Sequence, residues 1–334
     1  MKNILEVLFV ASILLSCNAQ PSKINAVSFV ASGNEAVKEH VDAVVNINAN
    51  YATVMPFGFI RSLETTKIIH NTDRQWFGES KDGIIQYAKM LQQQNVGVMV
   101  KPQIWISRGE FTGHLKMNTE EEWQRLEESY TSFILTYAAA AQEINAAIFC
   151  IGTELEQFIV NRPQYWMQLI LEIKYIYKGK LTYAANWDEY KRVPFWDALD
   201  YIGVDAYFPI SDSQTPTLQE AIDGWQPWKK ELQGVSEKFS RPILFTEYGY
   251  RSVDYSGKEP WKSDHKMPGV NMEAQANLTE GLFSAIYPEE WFAGGFIWKW
   301  FIDHKNSGGL ENPMYTPQNK PAEELIKKHF GATK

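Results

Sequence analysis

Short apolar runs alternate with longer segments of helical periodicity along most of the chain. The apolar runs are nearly continuous, which is typical of strands that are covered on both faces. They predict eight strands, at residues 24–32, 51–60, 96–106, 146–156, 181–187, 199–207, 242–250 and 292–301.

The segments between these strands carry the signals of helix ends. Thr119 with Glu122, and Thr217 with Glu220, have the spacing of a capping box, in which each side chain bonds the other residue's backbone N–H. The segment over residues 163–177 begins with a proline and stops before Gly179, as helices often do. We therefore predict that helices connect the strands.

Strands that alternate with helices predict a parallel sheet. Eight such units in about 300 residues fit a closed (β/α)₈ barrel, or TIM barrel, which typically needs about 250 residues plus insertions. An open doubly wound sheet is the alternative, although the chain has no G-x-G-x-x-G or Walker-type loop. The absence of a Pro-rich or Ser-rich linker predicts a single α/β domain over residues 24–334.

The N-terminal segment has a positive charge followed by an apolar stretch, which is the order typical of a secretory signal. Lys2 precedes an apolar stretch, and residues 14–17, Leu-Leu-Ser-Cys, resemble the bacterial lipobox. We therefore predict a signal peptide with lipobox at residues 1–17, lipidation of Cys17 and a short tether at residues 18–23. The protein would then be exported and lipid-anchored to a bacterial membrane, on the periplasmic or cell-surface side. An ordinary cleaved signal or a buried first helix are the alternatives.

Composition excludes several classes of partner. The chain has 334 residues with 32 Lys or Arg and 40 Asp or Glu, so its formal net charge of −8 argues against nucleic acid. Two cysteines are too few for a disulfide scaffold or a four-thiolate zinc site. The six histidines form no H-E-x-x-H motif or cluster with metal spacing, so we expect neither a metal nor a cofactor. The 14% of aromatic residues includes flat faces on which a sugar could stack.

Two of the predicted strands end in a glutamate. The fourth runs into Thr153-Glu154 and the seventh into Thr246-Glu247, and in this type of barrel the active site lies at the carboxyl ends of the strands. The pair therefore suggests paired-carboxylate chemistry, although ion pairs with Lys101 or Arg251 would be a structural alternative. Strand alternation would place Glu154 and Glu156 on one side, with Cys150 and Gly152 below them and room beneath Glu154.

Five stretches together resemble one enzyme family. They are KPQIW at 101–105, IGTE at 151–154, DAYFP at 205–209, FTEYG at 245–249 and WKW at 298–300. The chain is similar in these stretches to glycoside hydrolase family 113, whose members are β-mannanases with the (β/α)₈ fold. The resemblance covers most of the chain, from about Val27 to Phe330. The glutamates also match the pattern of clan A retaining glycoside hydrolases.

The resemblance implies a role for each glutamate. Glu154 would be the general acid/base and Glu247 the nucleophile of a double displacement, with the two carboxyl groups about 5–5.5 Å apart. One departure stands beside them: most clan A enzymes have Asn before the acid/base, where it binds the sugar 2-hydroxyl, and this chain has Thr153. Asn186, at the end of the fifth predicted strand, is the candidate substitute.

Other polar and aromatic residues are candidates for substrate binding. Lys101 and Gln103, placed on one face of the third predicted strand, could bind sugar hydroxyls, or Lys101 could only neutralise the barrel interior. Tyr207 could hydrogen-bond the nucleophile or only pack at the rim, and Asp205 is expected to be a buried partner of a neighbouring polar group. Trp298 is placed beneath the reacting sugar, with Trp105 or Trp187 flanking it.

The favoured hypothesis is a retaining endo-type β-mannanase that acts on mannan, glucomannan or their oligosaccharides. One alternative is a clan A β-glycosidase for another glycan, such as a glucan or galactan. Another is a surface glycan-binding lipoprotein without turnover. In each case we expect an oligo- or polysaccharide partner, membrane contact only through the lipid anchor, and a monomer.

Overall fold

The computed structural model of the chain describes residues 23–263 and 269–332. The predicted signal peptide, Cys17 and most of the predicted tether lie outside the described residues. Among the described helices, none combines the length and hydrophobicity that a bilayer crossing requires.

Strands and helices alternate through the described residues. The strands, β1 to β11 in chain order, are Ile24–Phe29, Tyr51–Val54, Phe57–Ile60, Ile69–His70, Gly97–Val100, Gln103–Ile106, Ile148–Thr153, Lys180–Asn186, Ile202–Asp205, Ile243–Tyr248 and Phe292–Trp300. The α-helices, α1 to α8, are Lys38–Asn46, Lys81–Gln93, Glu120–Glu143, Glu156–Asn161, Pro163–Ile176, Leu218–Phe239, Met272–Ala285 and Pro321–Ala332. Single-turn 3₁₀ helices lie at Phe77–Glu79, Ser107–Gly109, Thr112–His114, Tyr190–Arg192, Trp196–Ala198 and His304–Asn306.

Eight of the strands form a closed barrel in the order β1-β2-β5-β7-β8-β9-β10-β11, with β11 pairing back onto β1. Every pairing in it is parallel. The predicted (β/α)₈ barrel is therefore confirmed, and the open doubly wound alternative is wrong. The two predicted capping boxes are also present, at the first turns of α3 and α6.

The apolar residues divide between two layers, as strands covered on both faces require. A small cluster that includes Met99, Ile148, Cys150 and Phe296 fills the inside of the barrel. The larger cluster packs the outer strand faces against the helices. The alternation of Ile148 and Cys150 inward with Phe149 and Ile151 outward shows how β7 serves both layers.

Two predicted strands are each divided by a proline. The prediction at 51–60 becomes β2 and β3 around Pro56, and the prediction at 96–106 becomes β5 and β6 around Pro102. Because proline lacks an N–H donor and restricts the residue before it, the chain cannot continue the barrel ladder there. β3 and β6 instead pair with each other and with β4 in a separate three-stranded sheet.

This division corrects one prediction about the site. Lys101 lies directly after β5, whereas Gln103 begins β6 in the separate sheet, so the two do not share a face of one strand. The separate sheet continues from the carboxyl ends of β2 and β5, and it therefore brings Gln103 and Trp105 to the mouth of the barrel.

Candidate active site

Glu247 lies in β10, near its carboxyl end, and is buried. Its carboxylate accepts three hydrogen bonds from side chains on other elements. Lys101 Nζ and Gln103 Nε2 donate to Oε1, the latter at 3.1 Å, and Tyr207 Oη donates to Oε2 at 2.7 Å. Because both oxygens are held from different directions, the orientation of the Glu247 carboxylate is fixed.

Lys101 lies between two carboxyl groups. Its ammonium also donates to both oxygens of Asp205, at 3.2 Å, and its side chain has no exposed surface. Burial alone would lower the pKa of Lys101, but the charges of Asp205 and Glu247 outweigh it, and the pKa is raised. Lys101 therefore stays a cation. It neutralises negative charge inside the barrel and also contacts Glu247.

Asp205 completes this buried charge cluster. It accepts a 2.7 Å hydrogen bond from Thr246 Oγ1 in addition to its bonds from Lys101. Its pKa is raised because burial and the charge of Glu247 outweigh the stabilisation from Lys101 and Thr246. One cation is thus shared by two carboxyl groups, and Asp205 is the buried partner of neighbouring polar groups that the sequence predicted.

Glu154 follows β7 in a backbone conformation that is uncommon for a residue with a side chain. Its φ is +50°, in the left-handed region, and its N–H donates to the carbonyl oxygen of Ala184 at 2.8 Å. Its carboxyl group lines the same cleft as Glu247. Burial, followed by the charges of Asp205 and Glu247, raises the pKa of Glu154 well above its usual value. A half-buried carboxyl group whose protonated form is favoured in this way is suited to donate a proton.

The turn at Glu154 overturns the predicted alternation beyond it. β7 ends at Thr153, and Glu156 is the first residue of α4, where it pairs with Arg192 at 2.5 Å. The register shifts between Cys150 and Thr153, so Gly152 faces the helix layer. A Cβ there would lie 2.7 Å from Tyr130 Oη and 2.9 Å from Trp166. The space at Gly152 therefore accommodates the outer core and not Glu154.

The remaining predicted residues lie around one open cleft with an empty volume of about 1450 Å³. Both glutamates line it, together with five other residues that were predicted from the sequence: Trp105, Asn186, Trp187, Tyr207 and Trp298. Gln103 lines an adjoining pocket, which shares both glutamates with the cleft and also includes Thr153, Thr112 and Ile104. The structure thus gathers the predicted site residues at one end of the barrel, with Lys101 buried beneath them.

Thr153 and Asn186 have different environments within the cleft. Thr153 Oγ1 donates to the carbonyl oxygen of Pro102 at 3.4 Å. Asn186 Oδ1 accepts from the N–H of Trp187 at 2.9 Å, while its side-chain amide donates to no residue of the described chain. Asn186 therefore has a free donor in the cleft.

Sequence analysis missed several residues of the cleft. Trp261 stacks on Trp187 with ring centroids 5.0 Å apart and planes at 19°, and together they form one wall. The ammonium of Lys299 lies over the rings of Trp298 and Phe301, and burial lowers its pKa although Glu247 opposes this. The sequence contains a weak signal for Lys299 in the WKW stretch, but Trp261 lies in a loop and is one of twelve tryptophans. The other cleft residues that were missed are Phe111, Asp188, Ser263, Met314 and Tyr315.

In residues 23–263 and 269–332, no three acidic, histidine or cysteine side chains are grouped so that they could hold a metal ion.

The chain is similar to known proteins over most of its length. The family model described as Glycoside Hydrolase Family 113 matches residues 31–320. The structure of the family 113 β-mannanase AaManA from Alicyclobacillus acidocaldarius, in complex with ManMIm, is 26% identical with a TM-score of 0.82, and the match covers 94% of this chain and 99% of that one. A complex structure of a family 113 β-1,4-mannanase is 22% identical with a TM-score of 0.79, covering 93% of this chain and all of that one.

More distant matches show only a similar fold. A β-glucuronidase from Faecalibacterium prausnitzii is 13% identical with a TM-score of 0.62, and the match covers 94% of this chain but 50% of the glucuronidase. None of the curated proteins compared with the chain matches it.

Proposed function

Since the chain belongs to glycoside hydrolase family 113, we propose that it is a retaining endo-type β-mannanase that cleaves β-1,4-mannosidic bonds in mannan, glucomannan or manno-oligosaccharides. The observation that carries the proposal is the contrast between the two glutamates in the cleft. Glu247 is held by three donors, while burial and the nearby charges of Asp205 and Glu247 raise the pKa of Glu154. The name of AaManA, which is similar over nearly the whole chain, supports mannan as the substrate.

In the first step Glu247 attacks the anomeric carbon and Glu154 protonates the departing glycosidic oxygen. A bond forms between the Glu247 carboxylate and the sugar, and the bond to the leaving sugar breaks as that oxygen takes the proton of Glu154. Lys101, Gln103 and Tyr207 position the attacking carboxylate. When the ester forms and the charge of Glu247 disappears, Asp205 remains as the partner of Lys101.

In the second step Glu154 removes a proton from water, which attacks the anomeric carbon and releases Glu247. The change of role has a physical cause. Burial and the charges of Asp205 and Glu247 raise the pKa of Glu154 in the resting enzyme. Because the ester removes one of these charges, the pKa of Glu154 falls in the intermediate and the group can act as a base.

The cleft suggests how the sugar is bound. Trp298 is proposed to stack beneath the reacting sugar, with the stacked pair Trp187 and Trp261 along a neighbouring wall. The free amide of Asn186 is proposed to contact the 2-hydroxyl in place of the usual asparagine before the acid/base.

Reducing-sugar release from mannan, glucomannan and mixed-linkage glucan tests the substrate. We expect release from the first two, and activity on the glucan alone would assign the enzyme to another glycan. Replacing the nucleophile, Glu247→Ala, should abolish turnover and leave oligosaccharide binding largely intact, as measured by calorimetry. Glu156→Ala, which removes a carboxylate paired with Arg192, is the matched control and should retain activity. If the unmodified protein binds manno-oligosaccharides but hydrolyses none, it is a glycan-binding protein and the proposal is wrong.

A further inference from the structure

Glu189 is a buried carboxyl group behind the cleft, and only 1% of its surface is exposed. Its Oε1 accepts a 2.6 Å hydrogen bond from Tyr183 Oη, and its Oε2 accepts a 3.0 Å bond from the N–H of Asn186. Among the ion pairs of the described residues, none includes Glu189. Burial raises the pKa of Glu189 to about 8, and the hydrogen bonds from Tyr183 and Asn186 oppose this rise.

Tyr183 connects Glu189 to the turn that carries Glu154, the candidate acid/base. Tyr183 Oη accepts a 2.6 Å hydrogen bond from the N–H of Leu155, the residue directly after Glu154. The N–H of Glu154 itself bonds to the carbonyl oxygen of Ala184, the residue after Tyr183 in β8. Two successive N–H groups of the turn are therefore held by β8, one through the backbone and one through a side chain.

This clamp acts on a strained part of the backbone. Glu154 has a φ of +50°, which a residue with a Cβ adopts at an energetic cost and keeps only where its surroundings fix it. Without the clamp at Leu155, the turn could relax and the carboxyl group of Glu154 would shift. The cost of such a shift in an enzyme is large, because a displacement of about 1 Å can slow catalysis about a hundredfold.

We propose that Tyr183 and Glu189 are positioning residues for Glu154, which hold its turn so that the carboxyl group faces the glycosidic oxygen. Glu189 also holds the backbone of Asn186, so one buried carboxyl group connects two residues of the cleft. This inference rests on the proposed acid/base role of Glu154.

The leaving group of the substrate separates a displaced Glu154 from general damage. A manno-oligosaccharide needs a proton on its departing oxygen, whereas a 2,4-dinitrophenyl β-mannobioside does not, because dinitrophenolate leaves as the anion. Azide, as an external nucleophile, attacks the anomeric carbon of the Glu247 ester and releases the sugar as a glycosyl azide, so this step needs no base. Activity on the oligosaccharide relative to the aryl glycoside with azide therefore reports the position of Glu154.

Tyr183→Phe removes only the hydroxyl group. We expect kcat on manno-oligosaccharides to fall about tenfold with KM within about twofold, and activity on the aryl glycoside with azide to stay within about twofold. Tyr177→Phe is the matched control, since Tyr177 is also buried and its hydroxyl donates to the carbonyl oxygen of Ala146 at 2.6 Å, before β7 begins. Its kinetic constants should not change.

Glu189→Leu is a second variant, which removes both oxygens that bond Tyr183 Oη and the N–H of Asn186. It should show the same selective loss of activity on the oligosaccharide. If Tyr183→Phe does not fold, the two substrates are compared in this variant instead. Equal losses on both substrates, or no loss in either variant, would overturn the proposal.

Glu154→Ala is the reference that separates this inference from the proposed function. If Glu154→Ala does not lose oligosaccharide activity selectively, the acid/base assignment is wrong. If it does and the Tyr183 and Glu189 variants do not, only the positioning role is wrong.

Discussion

Lys101 is a single cation for two carboxyl groups, and removing it changes the charge of the barrel interior. Lys101→Met keeps most of the side-chain volume but leaves Asp205 and Glu247 buried without a cation. Breaking a buried ion pair in this way costs about 3–5 kcal/mol. We expect a decrease of this size in the free energy of unfolding near neutral pH, measured by urea denaturation.

The decrease in the free energy of unfolding caused by Lys101→Met, its stability deficit, should also depend on pH. Burial and the charge of Glu247 already raise the pKa of Asp205, and loss of the cation raises it further. A carboxyl group with a raised folded-state pKa adds stability at low pH that is lost as the pH rises through that pKa. The deficit should therefore be smaller at about pH 5 than at about pH 8.

Lys180→Met is the control for this pH dependence. Lys180 is exposed and pairs with Asp200 at 2.8 Å on the surface, so its loss should cost less than about 1 kcal/mol at either pH. An equal deficit for Lys101→Met at both pH values would contradict the charge argument.

Individual residues differ in how visible they are in the sequence. Glu154 and Glu247 are conspicuous because each follows an apolar strand, where a carboxylate is costly. The left-handed conformation of Glu154 has no such signal, since glutamate is not a residue that favours it. For that reason strand alternation was extended too far, to Glu156. Tyr183 and Glu189 were also missed, because a buried tyrosine and a turn glutamate have no distinctive pattern.

At the scale of elements, the order of strands and helices was predictable because each strand is buried on both faces. The division of two strands was not predicted, although Pro56 and Pro102 mark it. Each proline stands two residues after the last residue of a barrel strand, β2 or β5. Two prolines at matching positions of neighbouring strands are the signal from which a separate sheet could have been inferred.

The separate sheet carries Trp105 at the rim of the cleft, where 52% of its surface is exposed. If it stacks on a sugar distant from the cleaved bond, Trp105→Ala should raise KM for long manno-oligosaccharides about tenfold. kcat should change little, because Trp105 is not one of the three donors that hold the Glu247 carboxylate. Steady-state kinetics over a series of oligosaccharide lengths measure this.

Trp76→Ala is the control for the cleft tryptophan. Trp76 is 60% exposed and does not line the cleft, so its removal should leave KM unchanged at every length. A similar rise in KM for the shortest and longest substrates would show that Trp105 does not bind a distant sugar.

At the scale of the whole molecule, barrel closure explains how distant residues form one site. Lys101 and Glu247 are 146 residues apart in sequence, and Lys101 and Asp205 are 104 apart. They meet because β5, β9 and β10 end at the same face of the barrel. The loops that complete the cleft, including the one with Trp261, have no comparable rule, and their residues could not be assigned from the sequence.

The two cysteines of the chain have different expected fates. Cys150 is buried inside the barrel, and burial raises the pKa of its thiol to about 11, so it should not react with thiol reagents in the folded protein.

We propose that Cys17, in contrast, becomes the lipidated N-terminus after export. Expressed in a bacterial host, the protein should then lie in the membrane fraction, with an intact mass equal to residues 17–334 plus the lipid. Cys17→Ser should move it to the soluble fraction without changing its activity, because Cys17 precedes the first strand of the barrel in the sequence. A mature N-terminus beyond Cys17 without lipid would show instead that the segment is an ordinary cleaved signal.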